Sequence, residues 1–129
     1  MIQAEFPDLE TVLKFHYKLI ERYGGSHGLR DQGALESALA AAQNRYFYEE
    51  ADLATCAATY AYHLSQAHAF IDGNKRIAWA VAILFLEMNG IVLTVPETEA
   101  EEFCLSVAAG QIIRDEVERR FTQWIAAII

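Results

Sequence analysis

Lys75-Arg76-Ile77-Ala78-Trp79-Ala80-Val81-Ala82-Ile83-Leu84-Phe85-Leu86-Glu87-Met88-Asn89 is the stretch whose character sets the architecture. Wound at 3.6 residues per turn, it carries apolar side chains on nearly every side, through Ile77, Ala78, Trp79, Val81, Ile83, Leu84, Phe85 and Met88. Such a helix belongs at the middle of a bundle, surrounded by others. Its continuous apolar run, Ile77 to Leu86, is ten residues long, whereas crossing a bilayer takes about 20. No membrane partner is expected. Asn89-Gly90 ends the helix, and the β-branched run Ile91 to Val95 follows as a short extended segment.

Toward the amino terminus, Leu9, Val12, Leu13, His16, Leu19, Ile20 and Tyr23 recur at steps that mark one helical face, with Asp8 as N-cap and Gly24-Gly25 as the stop. Gly24 to Arg30 is rich in glycine and forms a loop, after which Asp31 caps a second helix with Leu35, Ala38, Leu39 and Ala42 inward. Tyr46-Phe47-Tyr48, within Asn44 to Glu50, has no helical period. It reads as a loop anchored by its rings, with a short extended flap as the alternative. A third helix is expected from about Ala51 to Ala67, burying Leu53, Cys56, Ala57, Tyr60, Ala61 and Leu64. Pro96 with Glu97, Thr98 and Glu99 suits the first turn of another helix, and Val117, Phe121, Trp124, Ile125 and Ile128 give a last amphipathic one. With no repeat, linker or low-complexity tract, the expectation is all-α: a single domain over residues 1–129 with five to seven helices.

Composition agrees with that reading. The chain has 129 residues, 53% of them apolar, with a mean hydropathy of +0.10, enough to build a core. Ten Lys and Arg against eighteen Asp and Glu give a net charge of −8, which repels a phosphate backbone, so direct nucleic-acid binding is not expected. Cys56 and Cys104 have no zinc-type spacing and read as buried free thiols. The first residues lack a basic stretch followed by an apolar one, and a cytoplasmic location is expected.

Chemistry concentrates immediately before the apolar helix. His68-Ala69-Phe70-Ile71-Asp72-Gly73-Asn74-Lys75-Arg76 holds an imidazole, a carboxylate, two cations and a Gly-Asn turn. A helix cap needs one polar side chain, and this segment has five. A helix start offers unpaired N–H groups and the positive end of the macrodipole, and Gly73 lets a ligand come close, so phosphate is the natural guest. Lys75 adds a point charge and Arg76 a planar fork. Asp72 is an oxygen donor of the kind magnesium takes beside a nucleotide. His68 can approach the same phosphate as a base.

The segment resembles the Fic/Doc signature H-x-F-x-[DE]-[GA]-N-[GK]-R, matched by His68, Phe70, Asp72, Gly73, Asn74, Lys75 and Arg76. Tyr23-Gly24-Gly25, Gly28-Leu29-Arg30-Asp31 and Leu35-Glu36-Ser37-Ala38-Leu39 look like the death-on-curing (Doc) toxin branch of that family. The resemblance implies a helical bundle whose signature loop holds ATP and Mg, with His68, Asp72 and Arg76 catalytic, Gly73, Asn74, Lys75 and Arg76 on the phosphates, and Asp72 on the metal. Members with Gly at the position of Lys75 transfer AMP, whereas the Doc branch carries Lys and resembles a protein kinase that phosphorylates a translation elongation factor. Lysine fills with charge the space that glycine leaves to phosphates.

The expectation is therefore a toxin of a toxin-antitoxin pair, a phosphotransferase acting on a Ser or Thr hydroxyl and restrained by a cognate antitoxin protein. Gly73 is the residue of AMP-transferring members, which keeps adenylyl transfer as the first alternative. A non-catalytic partner or co-repressor of an antitoxin is the second, although it would have no need of a base beside a phosphate site. Self-inhibited relatives carry [ST]-x-x-x-E-[GN]. Here Thr98-Glu99-Ala100-Glu101-Glu102 is followed by Phe103, so restraint is expected in trans. His16 reads as a core histidine bonded to a carbonyl and His63 as a surface residue; Arg30-Asp31 reads either as part of a target groove, by resemblance only, or equally well as a helix cap with a neutralising neighbour.

Overall fold

The computed structural model describes residues 3–128. Its elements are α1 (Leu9–Tyr23), α2 (Gln32–Glu49), α3 (Leu53–Ala67), α4 (Asn74–Met88), α5 (Glu97–Ala108) and α6 (Arg114–Ala126). The expected all-α architecture is thus realised with six helices among the described residues. Three of them start where an aspartate precedes the apolar pattern: Asp8, Asp31 and Asp52 accept hydrogen bonds from the backbone N–H of Thr11, Ala34 and Thr55 at 2.8, 3.0 and 2.8 Å. Each satisfies a donor that the helix itself leaves open.

The centre is α3, which packs against α2, α4, α5 and α6. Nine of its fifteen residues are buried, among them Ala54, Ala57, Ala58 and Ala61, and these small side chains let several helices come close. α4, which the sequence places in the middle, lies beside it against α3, α1 and α5. Its Ile77, Ala78, Val81, Ala82, Phe85 and Leu86 are buried, and its other face is half covered. Trp79, Phe103, Phe121 and Trp124 close the bundle, mostly edge to face, joining α4, α5 and α6 with ring centroids 4.9 to 6.0 Å apart.

Several expectations are corrected. Asn44 to Glu49 is helical and continues α2, with no flap. Nothing in the segment breaks a helix until Glu50 takes a left-handed conformation at φ +53°. Its three rings do not share one anchoring role: Tyr46 meets Phe6 edge-on at 5.4 Å, while Tyr48 is 83% exposed. Ile91 to Val95 forms no ladder. The only β-type pairing among the described residues is a single bridge between Leu29 and Phe70. His63 is half-buried, and Cys104 is partly covered where Cys56 is fully buried. Among the described residues no helix is long and apolar enough to cross a membrane.

Candidate functional site

The loop between α3 and α4 is held from three directions. α3 ends at His68, whose φ of +48° is left-handed, a conformation uncommon outside glycine. This turn sends Ala69 and Phe70 into the core, 1% and 2% exposed, and leaves the imidazole outside. The Ala69 carbonyl accepts from the backbone N–H of both Arg30 and Asp31, at 2.7 and 2.9 Å, and Ile71 N–H donates to Gly28 O at 3.1 Å. The glycine-rich α1–α2 loop is thereby fastened beside the site. Asp31 serves as the cap of α2, and Arg30 is exposed.

Asn74 closes the turn on itself: its Oδ1 accepts from Phe70 N–H at 3.1 Å and its Nδ2 donates to Phe70 O at 2.9 Å. Both polar atoms of the side chain are engaged in the turn, which leaves the second amide hydrogen and the backbone N–H of Asn74 to offer a ligand. α4 starts at Gly73, φ +78°, with no side-chain cap. Its first intrahelical bond runs from Ile77 N–H to Gly73 O at 3.0 Å. The opening turn therefore presents N–H groups and the positive end of the helix dipole outward.

Asp72 is exposed and doubly held. Its Oδ2 accepts from Ser26 N–H at 3.1 Å and its Oδ1 from Gly73 N–H at 2.9 Å. These two bonds, in that order, keep its carboxyl below the ordinary value of 3.8, and the nearby Arg76 charge acts in the same direction. The carboxylate reaches this position because Gly25 has no side chain: a Cβ there would lie 2.5 Å from Asp72 Oδ2. The two cations leave the helix on different sides. Arg76 lays its guanidinium over the Tyr23 ring at 4.5 Å, against α1. Lys75 runs along the α3–α5 side, beside Ser65, Phe103 and Cys104.

A sequence profile described as the Fic/DOC family matches residues 6–86. Over 104 residues the chain is 36% identical to the protein kinase doc of Escherichia phage P1, covering 80% of this chain and 82% of that protein. It is 34% identical over 109 residues to the toxin Doc of Mycolicibacterium smegmatis, covering 81% and 84%. This chain belongs to the Fic/DOC family. The family match spans α1 to the last turn of α4 and so contains every residue of the loop and its α1–α2 brace, and all of the helix but its last two residues.

Within that family framework the residues present fit a nucleotide with magnesium. Asp72 is an exposed, ionised carboxylate at an uncapped helix start, and each of its oxygens keeps a lone pair free beside its N–H contact. Magnesium beside a nucleotide takes one or two carboxylates and otherwise phosphate and water oxygens. The site is an open ledge. A cleft of about 570 Å³ lined by Tyr46, Met88 and Asn89 lies at the opposite end of α4, about 20 Å away by helix length.

Two participants escape a residue-by-residue reading of the sequence. Tyr23, counted on the inward face of α1, is 50% exposed and serves as the platform for Arg76. Ser26 enters through its backbone N–H, which no side-chain pattern signals. His16 is the core histidine expected, bonded to a carbonyl, and that carbonyl is Asp72's.

Proposed function

We propose that this chain is a toxin of a toxin-antitoxin pair that transfers the γ-phosphoryl group of ATP to a Ser or Thr hydroxyl of a translation elongation factor in the cytoplasm. The observation that carries this reading is the arrangement around the α4 start: an exposed imidazole, a fixed carboxylate and two cations on different sides of an uncapped turn. Support comes also from the names of the two relatives, one a protein kinase and one a toxin, and from lysine at position 75, as in the Doc branch.

In the proposed reaction His68 takes the proton from the target hydroxyl as its oxygen bonds to the γ-phosphorus. The bond from that phosphorus to the bridging oxygen breaks, and ADP leaves. Asp72, together with the phosphates, would hold magnesium, which would neutralise charge there when bound. The N–H groups of Asn74, Lys75 and Arg76 line the phosphate approach. Gly73 keeps it open, and Lys75 and Arg76 offset the remaining charge. Little covalent chemistry is asked of the protein in phosphoryl transfer, and positioning with electrostatic stabilisation does most of the work. A chain with this activity needs restraint, and a cognate antitoxin protein supplies it.

Adenylyl transfer is the second reading, favoured by the glycine at position 73. Mass spectrometry of the elongation factor after incubation with ATP, magnesium and this protein separates the two. A phosphoryl increment on one hydroxyl residue supports the proposal, and an adenylyl increment replaces it with the second reading.

A further inference from the structure

His16 is 4% exposed, and its side chain is one of few buried polar ones among the described residues. Burying an imidazole is costly unless it is hydrogen-bonded, and its partner is not in its own helix. Nε2 donates to the carbonyl of Asp72 at 2.7 Å, 56 residues away in the candidate site. A carbonyl only accepts, so Nε2 carries the hydrogen. The ring also lies flat on Phe70, with centroids 3.8 Å apart and planes 11° from parallel. A Cβ on Gly73 would come within 3.4 Å of Nε2. One buried side chain thus underlies residues 70, 72 and 73 together.

The consequence follows from peptide geometry. The Asp72–Gly73 peptide is trans and planar, so drawing its carbonyl down onto His16 turns its N–H the other way, toward the ledge. There it meets Asp72 Oδ1 at 2.9 Å, and the carboxylate is held between that N–H and the N–H of Ser26. The same peptide is the entry to α4, so its orientation also sets the first-turn N–H groups.

We infer that His16 is a positioning residue, whose Nε2–H sets the Asp72–Gly73 peptide and through it the Asp72 carboxylate and the opening turn of α4. For its kinetic arm the inference rests on the transfer reaction proposed above. Its structural arm does not.

Two variants divide the roles of the ring. His16→Phe keeps a ring on Phe70 and removes the donor, whereas His16→Gln removes the ring and keeps an amide donor at comparable reach. Amide hydrogen exchange over residues 68–76 and thermal melting are measured on both, without nucleotide. Exchange in the loop should rise about tenfold or more in His16→Phe, with exchange in the interior of α3 unchanged, and His16→Gln should restore most of the protection. Equal protection in wild type and His16→Phe overturns the inference, as does a loss spread evenly over α1, α3 and α4.

The kinetic arm measures label transfer from γ-labelled ATP into the protein of a translation extract against ATP concentration. Misplacing a catalytic group by about 1 Å costs roughly 10²-fold. His16→Phe should therefore lose about 10- to 100-fold in apparent kcat with little change in the KM for ATP, and His16→Gln should recover much of it. Wild-type kcat in His16→Phe, or no recovery in a folded His16→Gln, overturns the inference. Should wild type itself transfer no label, the proposed reaction fails, and the exchange result still decides the role of His16.

Discussion

Replacing Gly73 by alanine adds one methyl group where two costs can be read separately. At φ +78° an alanine occupies the left-handed region at a cost of about 1 to 2 kcal/mol, of which its lower unfolded-state entropy returns about 0.4 to 1. The new Cβ would lie 3.1 Å from Ile20 Cδ1 and 3.4 Å from His16 Nε2. The first is the end of a flexible side chain, and displacing it adds roughly 1 kcal/mol, the lower end of the overpacking range. The expected net loss is about 1 to 2.6 kcal/mol. At about 2.1 cal/mol/K of unfolding entropy per residue, a chain of 129 residues has an entropy of about 0.27 kcal/mol/K, so Tm should fall by about 4 to 10 °C. Ile20→Val removes the crowding atom and by itself costs about 0.5 to 1.5 kcal/mol. In that background Gly73→Ala should cost less, the difference being the contact part. Thermal melting of wild type, both single variants and the double variant gives the cycle. A Tm for Gly73→Ala within 1 °C of wild type, on the order of a quarter of a kcal/mol by the same conversion, would refute the reasoning about the backbone. Equal losses in the two backgrounds would refute the contact.

Three further variants have expected outcomes. His68→Ala should lower transfer by about 10²- to 10⁴-fold while melting as wild type does, since its ring is exposed; a rate near wild type removes His68 from the mechanism. Asp72→Asn should raise the magnesium concentration needed for half-maximal rate. Because the Asp72 carboxyl is held below its ordinary 3.8, its contribution to stability is complete above that value and is lost as pH falls through the lower folded value, so urea melts from pH 3 to 7 should show a shallower acid decline in Asp72→Asn; identical declines contradict the assignment. Arg76→Lys should slow transfer by about tenfold or more at saturating ATP, because lysine gives up both the two-pronged phosphate contact and the flat stacking on Tyr23, and an unchanged rate refutes that role.

The helices are legible in the chain because their signals are local. Asp8 and Asp31 stand one residue before the first helical turn, and the apolar spacing gives the buried faces, whereas the third helix, expected from about Ala51, starts at Leu53 behind an Asp52 cap that the apolar spacing does not single out. The Tyr46-Phe47-Tyr48 segment misleads because aromatic residues are read as buried, whereas Phe47 and Tyr48 lie mostly on the outside of a continuing helix. The centrality of α3 is hidden for the converse reason: its alanines carry little hydropathy yet permit the closest packing.

The candidate site divides in the same way. Its side chains lie within nine residues and can be recognised together. What holds them does not: Ser26 N–H, the carbonyls of Ala69 and Asp72, and the emptiness at Gly25 are backbone features brought together by tertiary contact. A histidine 56 residues from its acceptor shows in the sequence only as a polar residue on an apolar face.

The most direct test of the central claim is parallel incubation of this protein and its His68→Ala variant with elongation factor, magnesium and ATP labelled at the α or at the γ position. The account predicts label on the factor from the γ position alone, in the wild-type reaction and not in that of the variant. Label from the α position would contradict it, and so would γ-label that persists undiminished without His68.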